Sequence, residues 1–280
     1  MYEAHWGLKE KPFENTPDPR FIYYSQQHQE ALSRMMYVVS ERKSAALLSG
    51  EYGSGKTLLS RVLSQQLQQE DKYKTVSIFN PRLSDLEFIK EIVYQLESGK
   101  EVSPDKIGLL HALHKILLSN YDSGKHTVIV IDEAQAITDN EIFEELRLLL
   151  NFQLDNVFLL TIILLGQPEL IEKVINLPQL RQRIAVRFHL RALSEAETKE
   201  YIQHRLKVAQ AKREIFEEEA YKEIFTRSGG MPRQINSICD LALLAGYGSG
   251  LNSINKETII RVSEDLEGLP PKSEQKPEQP

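Results

Sequence analysis

Residues 44–62 read SAALLSGEYGSGKTLLSRV, and this stretch decides the fold. Ala45, Ala46, Leu47 and Leu48 form a short apolar run suited to a buried strand. Gly50, Glu51, Tyr52, Gly53, Ser54, Gly55, Lys56 and Thr57 follow as an instance of G-x-x-x-x-G-K-[ST], and Leu58 begins a helical pattern. Strand, glycine-rich loop and helix in that order is the setting of a phosphate-binding loop. Glycines let the backbone curl tightly enough to aim successive N–H groups at phosphate oxygens, and the free amides at the helix start add to the attraction. Lys56 supplies the mobile positive charge for the β- and γ-phosphates, and the Thr57 hydroxyl is placed to reach Mg²⁺. Residues 50–58 are therefore the expected binding segment for a nucleoside triphosphate, with ATP and Mg²⁺ as the expected ligands.

Outward from this loop, further apolar runs read as strands at Thr75–Phe79, Thr127–Ile131 and Phe158–Leu165, with Arg187–Leu190 as a final pairing segment. Helical patterns separate them, at residues 25–39, 85–96, 104–120, 140–150 and 169–175. Alternating strands and helices predict an α/β fold with a parallel sheet covered on both faces. From Ser194 the pattern turns to helices alone, at 195–209, 217–226, 232–247 and 256–266, which predicts a small all-helical lid domain. Residues 1–24 carry Trp6, Phe13, Phe21 and three prolines, and read as an aromatic arm lying on a globular surface. The expected organisation is an arm at 1–24, an ATPase domain at 25–192, a helical lid at 193–268 and a disordered proline-rich tail at 269–280.

With 34 basic and 40 acidic residues the net charge is -6, which leaves no global electrostatic footprint for nucleic acid. The single cysteine, Cys239, cannot form an internal disulfide and sits among apolar residues as a small hydrophobe. No apolar run reaches a membrane span and the first residues lack a signal-peptide pattern, so a cytoplasmic protein is expected. The histidines show no metal-ligand spacing.

Val128–Glu133 is an apolar strand ending in Asp132-Glu133. Ligands of open α/β sheets bind at the carboxyl ends of the strands, so this end is expected beside the phosphate loop. There Asp132 can hold Mg²⁺ together with Thr57, while Glu133 orients and polarises the attacking water. Gln167, ending the next apolar strand, can contact the γ-phosphate or that water.

The chain resembles an AAA+ ATPase, and more narrowly the general secretion pathway protein A family. The resemblance is carried by the opening Y-x-x-H-W-G-L, P-F, T-P-D-P-R-F and H-x-E-A-L (Tyr2–Leu32) and by G-E-Y-G-S-G-K-T. It continues through V-I-D-E-A-Q, L-L-G-Q-P-E-L, L-R-Q-R-I and G-G-M-P-R-Q-I-N, so that it covers nearly all of residues 1–265. It implies an αβα ATPase domain, a helical lid and activity as a homo-oligomer, a ring or a nucleotide-dependent dimer. By the same resemblance Gln167 matches the polar sensor of the fourth strand and Arg233 the second sensor, on the lid. Asn80 matches the polar residue that holds the Walker B glutamate away from water. Arg183, then Arg181, are the candidates for an arginine finger presented to a neighbour, with Arg187 close by. The function implied is an ATP-driven assembly factor or motor for a secretin, type II secretion or pilus-type envelope machine, with an inner-membrane or envelope partner. Family members commonly continue into a membrane span and a periplasmic peptidoglycan-binding part, and neither pattern is present in these residues. Two other readings share the core, a nucleic-acid-linked ATPase of the transposition-target or origin-binding type and a nucleotide-dependent scaffold. The acidic balance weighs against the first and Glu133 against the second.

Overall fold

A computed structural model describes residues 1–268 and divides the chain into two compact units. The first, Gln26–Arg191, is built on β1 (Ala45–Gly50), β2 (Tyr73–Ile78), β3 (His126–Ile131), β6 (Leu160–Gly166) and β7 (Ile184–Leu190). Two further strands, β4 (Gln153–Leu154) and β5 (Val157–Phe158), pair only with each other as an antiparallel hairpin. The five strands are parallel in the order β2-β3-β6-β1-β7, so the loop-bearing β1 is interior. Every residue of β1, β3 and β6 is buried, as a strand covered on both faces requires. β7, at one edge, alternates instead.

Several boundaries differ from the pattern reading for physical reasons. β7 begins at Ile184 rather than Arg187, because β1 already offers it a ladder at Ala45. The arginine-bearing segment before it forms the short helix Pro178–Arg183, with proline at a first-turn position where its missing N–H is harmless. β3 is not the hydrogen-bonded neighbour of β1: β6 lies between them. Helix Lys56–Gln69 packs against β1, β6 and β2, which lets its first turn reach the end of β3. Helix Asp85–Leu96 starts where the sequence indicates, on a reciprocal capping box between Ser84 and Glu87.

The second unit joins Met1–Ser25 to the chain from Ala192 onward. The opening aromatic segment is thus part of a core and not a surface arm. Trp6 and Phe13 are fully buried among Ile202, Ile235, Ala242 and Leu243, and the Trp6 indole N–H donates to the Leu243 carbonyl at 2.9 Å. The buried Arg205 ties this segment in place. Its guanidinium donates to the carbonyls of Pro12 and Glu14, to Tyr201 Oη and to Asn236 Oδ1, and lies 4.9 Å from the Phe21 ring centroid. A buried guanidinium is tolerated when its donors are met, and here four acceptors meet four of its five N–H groups. Cys239 is fully buried, and desolvation holds its thiol well above the usual range. The expected tail at 269–280 lies outside the described residues. No helix among the described residues is long and apolar enough to cross a membrane.

Candidate active site

The phosphate loop is shaped by its own backbone. Gly53 and Gly55 adopt φ of 84° and 99°, a region that side chains with a Cβ enter at a cost. Gly55 is the N-cap of helix Lys56–Gln69 and provides no side-chain cap, leaving the first-turn amides of Lys56, Thr57 and Leu58 without a capping side chain. A Cβ on Gly55 would meet His28 Nε2 at 3.2 Å, and the same nitrogen lies 3.2 Å from the Ser54 carbonyl. His28, buried on helix Gln26–Ser40, is thus the buttress behind the loop, a role with no signature in histidine spacing.

Lys56 is buried, and its ammonium donates to the carbonyls of Gly50 at 2.7 Å and Glu51 at 2.8 Å. Burial lowers its pKa, opposed by the nearby Glu133 and Asp132 carboxylates. Thr57 hydrogen-bonds the Asp132 carboxylate, which also accepts the Glu133 N–H at 2.9 Å. Burial raises the Asp132 pKa, and these hydrogen bonds, with Lys56, work against the rise. The Ser54 hydroxyl is buried without a partner among the described residues. Uncapped amides, a buried ammonium, an unpartnered hydroxyl and a threonine–aspartate pair suit a polyphosphate with a divalent cation.

Glu133 sits at φ 52°, ψ 34°, an uncommon conformation for a residue with a side chain. Its carboxylate accepts a hydrogen bond from Gln135 Nε2. Gln135 Oε1 in turn accepts the Gln167 backbone N–H at 3.0 Å. The structure therefore brings the Gln167 backbone into the same network as Glu133, through Gln135, the last residue of the I-D-E-A-Q motif. Asn80 Oδ1 accepts the Arg82 N–H at 3.4 Å within its own turn, and Glu133 accepts from the Gln135 side chain.

The three candidate finger arginines lie in or just after helix Pro178–Arg183. Arg183 is half-buried, donates to Asn151 Oδ1 at 3.0 Å and lies 6.0 Å from the Phe158 ring centroid. Arg187 donates to the Arg181 carbonyl at 2.7 Å. Arg181 is exposed. Arg233, in the other unit, is exposed in the first turn of helix Pro232–Gly248.

Comparison with known proteins places this geometry. The AAA domain family matches residues 39–174. Over 272 residues the chain is 36% identical to General secretion pathway protein A of Aeromonas hydrophila, a match covering 96% of this chain and 49% of that protein. The chain thus spans about half the length of this relative. Among solved structures, Cdc6p from Pyrobaculum aerophilum superposes with a TM-score of 0.70 at 18% identity, covering 92% of this chain and 74% of that one. The ORC2 protein of Aeropyrum pernix, solved as ADPNP-ADP complexes, gives 0.67 at 14% identity, covering 92% and 72%. At such identities these two likenesses show the fold alone, a P-loop AAA fold with a parallel five-stranded sheet and a helical C-terminal region.

Proposed function

The chain is an AAA-domain protein of the General secretion pathway protein A type, and on that premise we propose that it hydrolyses ATP to drive assembly of an envelope secretion machine. The observation that carries the hydrolytic half is the nearness of Lys56 and Thr57 to the Asp132 carboxylate, with Glu133 next in sequence and half-buried. The phosphate loop and the acidic strand end thus come together although β6 separates their strands.

In this reading the free amides of the loop and Lys56 hold the β- and γ-phosphates. Lys56 exchanges the carbonyls of Gly50 and Glu51 for phosphate oxygens. Thr57 and Asp132 would hold Mg²⁺, which when bound offsets charge on the phosphates. Glu133 orients the attacking water and accepts its proton, while Gln167 senses the γ-phosphate. By the family resemblance Arg233 keeps the second-sensor assignment.

Developing charge on the γ-phosphate calls for a further cation, and we assign it to an arginine from a neighbouring copy. Exposure favours Arg181 for this role. Arg183, the first choice from sequence position, is engaged with Asn151 in its own chain. The active form is then a homo-oligomer, and the partner is a component of a secretin or pilus-type machine. ATP turnover measured against protein concentration tests this directly. Specific activity that rises with concentration and saturates is expected, and a concentration-independent rate would contradict the shared site. Adding DNA in a parallel series separates the nucleic-acid reading, which requires strong stimulation.

A further inference from the structure

We propose that Gln135 is a positioning residue that fixes the Glu133 carboxylate to the end of β6, so that the orientation of the base follows the backbone at Gln167. This rests on Glu133 being the water-orienting base.

A carboxylate only accepts hydrogen bonds and a backbone N–H only donates. One orientation of the Gln135 amide therefore satisfies both neighbours, with Nε2 toward Glu133 Oε2 and Oε1 toward the Gln167 N–H. Both ends of the amide are committed. The fit is close, since a Cβ on Gly166 would stand 2.8 Å from Gln135 Oε1. A second tether runs in parallel from helix Glu169–Ile175. Lys173 Nζ donates to the Gln135 carbonyl at 2.7 Å and to the Ile137 carbonyl at 2.6 Å, holding the turn that carries the glutamine. Glu133 itself occupies a left-handed conformation, which persists only where the surroundings impose it.

The consequence is a division of labour at the carboxylate. Oε2 is held by Gln135, and Oε1 is left to face a water. A shift of the Gln167 backbone, as when its side chain engages a γ-phosphate, is passed through one rigid amide to the base. No longer pathway is needed, because the amide touches both ends.

The isosteric change Gln135→Glu isolates the effect. Glutamate keeps an acceptor for the Gln167 N–H but sets a second carboxylate against Glu133. The full chain should then retain its ATP affinity in a nucleotide titration while its kcat falls by about tenfold or more. Its melting temperature should drop, and adding Glu133→Gln to the same chain should restore it. In that double variant the amide introduced at position 133 can donate to the carboxylate introduced at position 135. If Gln135 acts through Glu133, residual turnover of Glu133→Gln and of the double variant must be equal. Independent, multiplying effects on turnover would overturn the proposal, as would an unchanged kcat in Gln135→Glu. The two levels are separable. Wild-type turnover in Glu133→Gln defeats the base assignment itself, whereas a dead Glu133→Gln beside a normal Gln135→Glu defeats only the positioning role.

Discussion

The phosphate loop and the turn after β3 meet at one site but are held in different ways. Lys56 is held by carbonyls five and six residues away, and the loop's curvature comes from glycines within it. Glu133 shares a side-chain network with Gln167, whose N–H bonds Gln135 across a separation of 32 residues, and Lys173 reaches the same turn from 36 and 38 residues away. The first arrangement is local and the second depends on the sheet being assembled. Binding and hydrolysis should therefore be separable by mutation.

The largest expected effect on binding breaks the local half. On the proposed reading Lys56→Ala removes a charged donor to two phosphates, and ATP affinity should fall by about 3 kcal/mol, roughly a hundredfold. Isothermal titration with Mg-ATP reads this, and unchanged affinity would remove the phosphate-loop assignment.

Arg205→Ala touches neither half and serves as the contrast. It strands the Pro12 and Glu14 carbonyls and opens space beside Phe21, so about 3 kcal/mol of stability should be lost from the helical unit. Thermal unfolding followed by near-ultraviolet circular dichroism, with Trp6 as the reporter, checks it. A loss confined to the other unit would contradict the packing of the opening segment described here.

Lys173→Met is the smallest and the most discriminating. It frees the turn at the Gln135 and Ile137 carbonyls while leaving the phosphate loop untouched. Turnover should decline about threefold to tenfold, with ATP affinity unchanged, as expected when a remote support lets a catalytic group drift. A fall in affinity without a fall in turnover would place Lys173 on the binding side.

The sequence made the local half legible because its signals are local. G-E-Y-G-S-G-K-T needs only its flanking strand and helix to be interpreted, and helix Asp85–Leu96 opens on a local cap, Ser84. The apolar runs of β1, β3 and β6 were equally readable, since burial on both faces leaves continuous aliphatic sequence. What could not be read were partnerships formed by long-range packing. Nothing near Trp6 indicates Leu243, and nothing near Arg205 indicates Pro12, so the aromatic opening looked like a strap on a surface. Strand order was likewise hidden, because neither β1 nor β3 records that β6 lies between them. Gln135 stood in plain view within a motif, but its role required knowing that the end of β6 comes within hydrogen-bonding distance.

The most direct test of the whole site is Glu133→Gln, assayed for ATP binding and ATP turnover in the same preparation. Binding should persist, because the phosphate loop, Lys56 and Asp132 are intact, and turnover should fall about a hundredfold or more with loss of the water-orienting base. Hydrolysis at the wild-type rate would contradict the account.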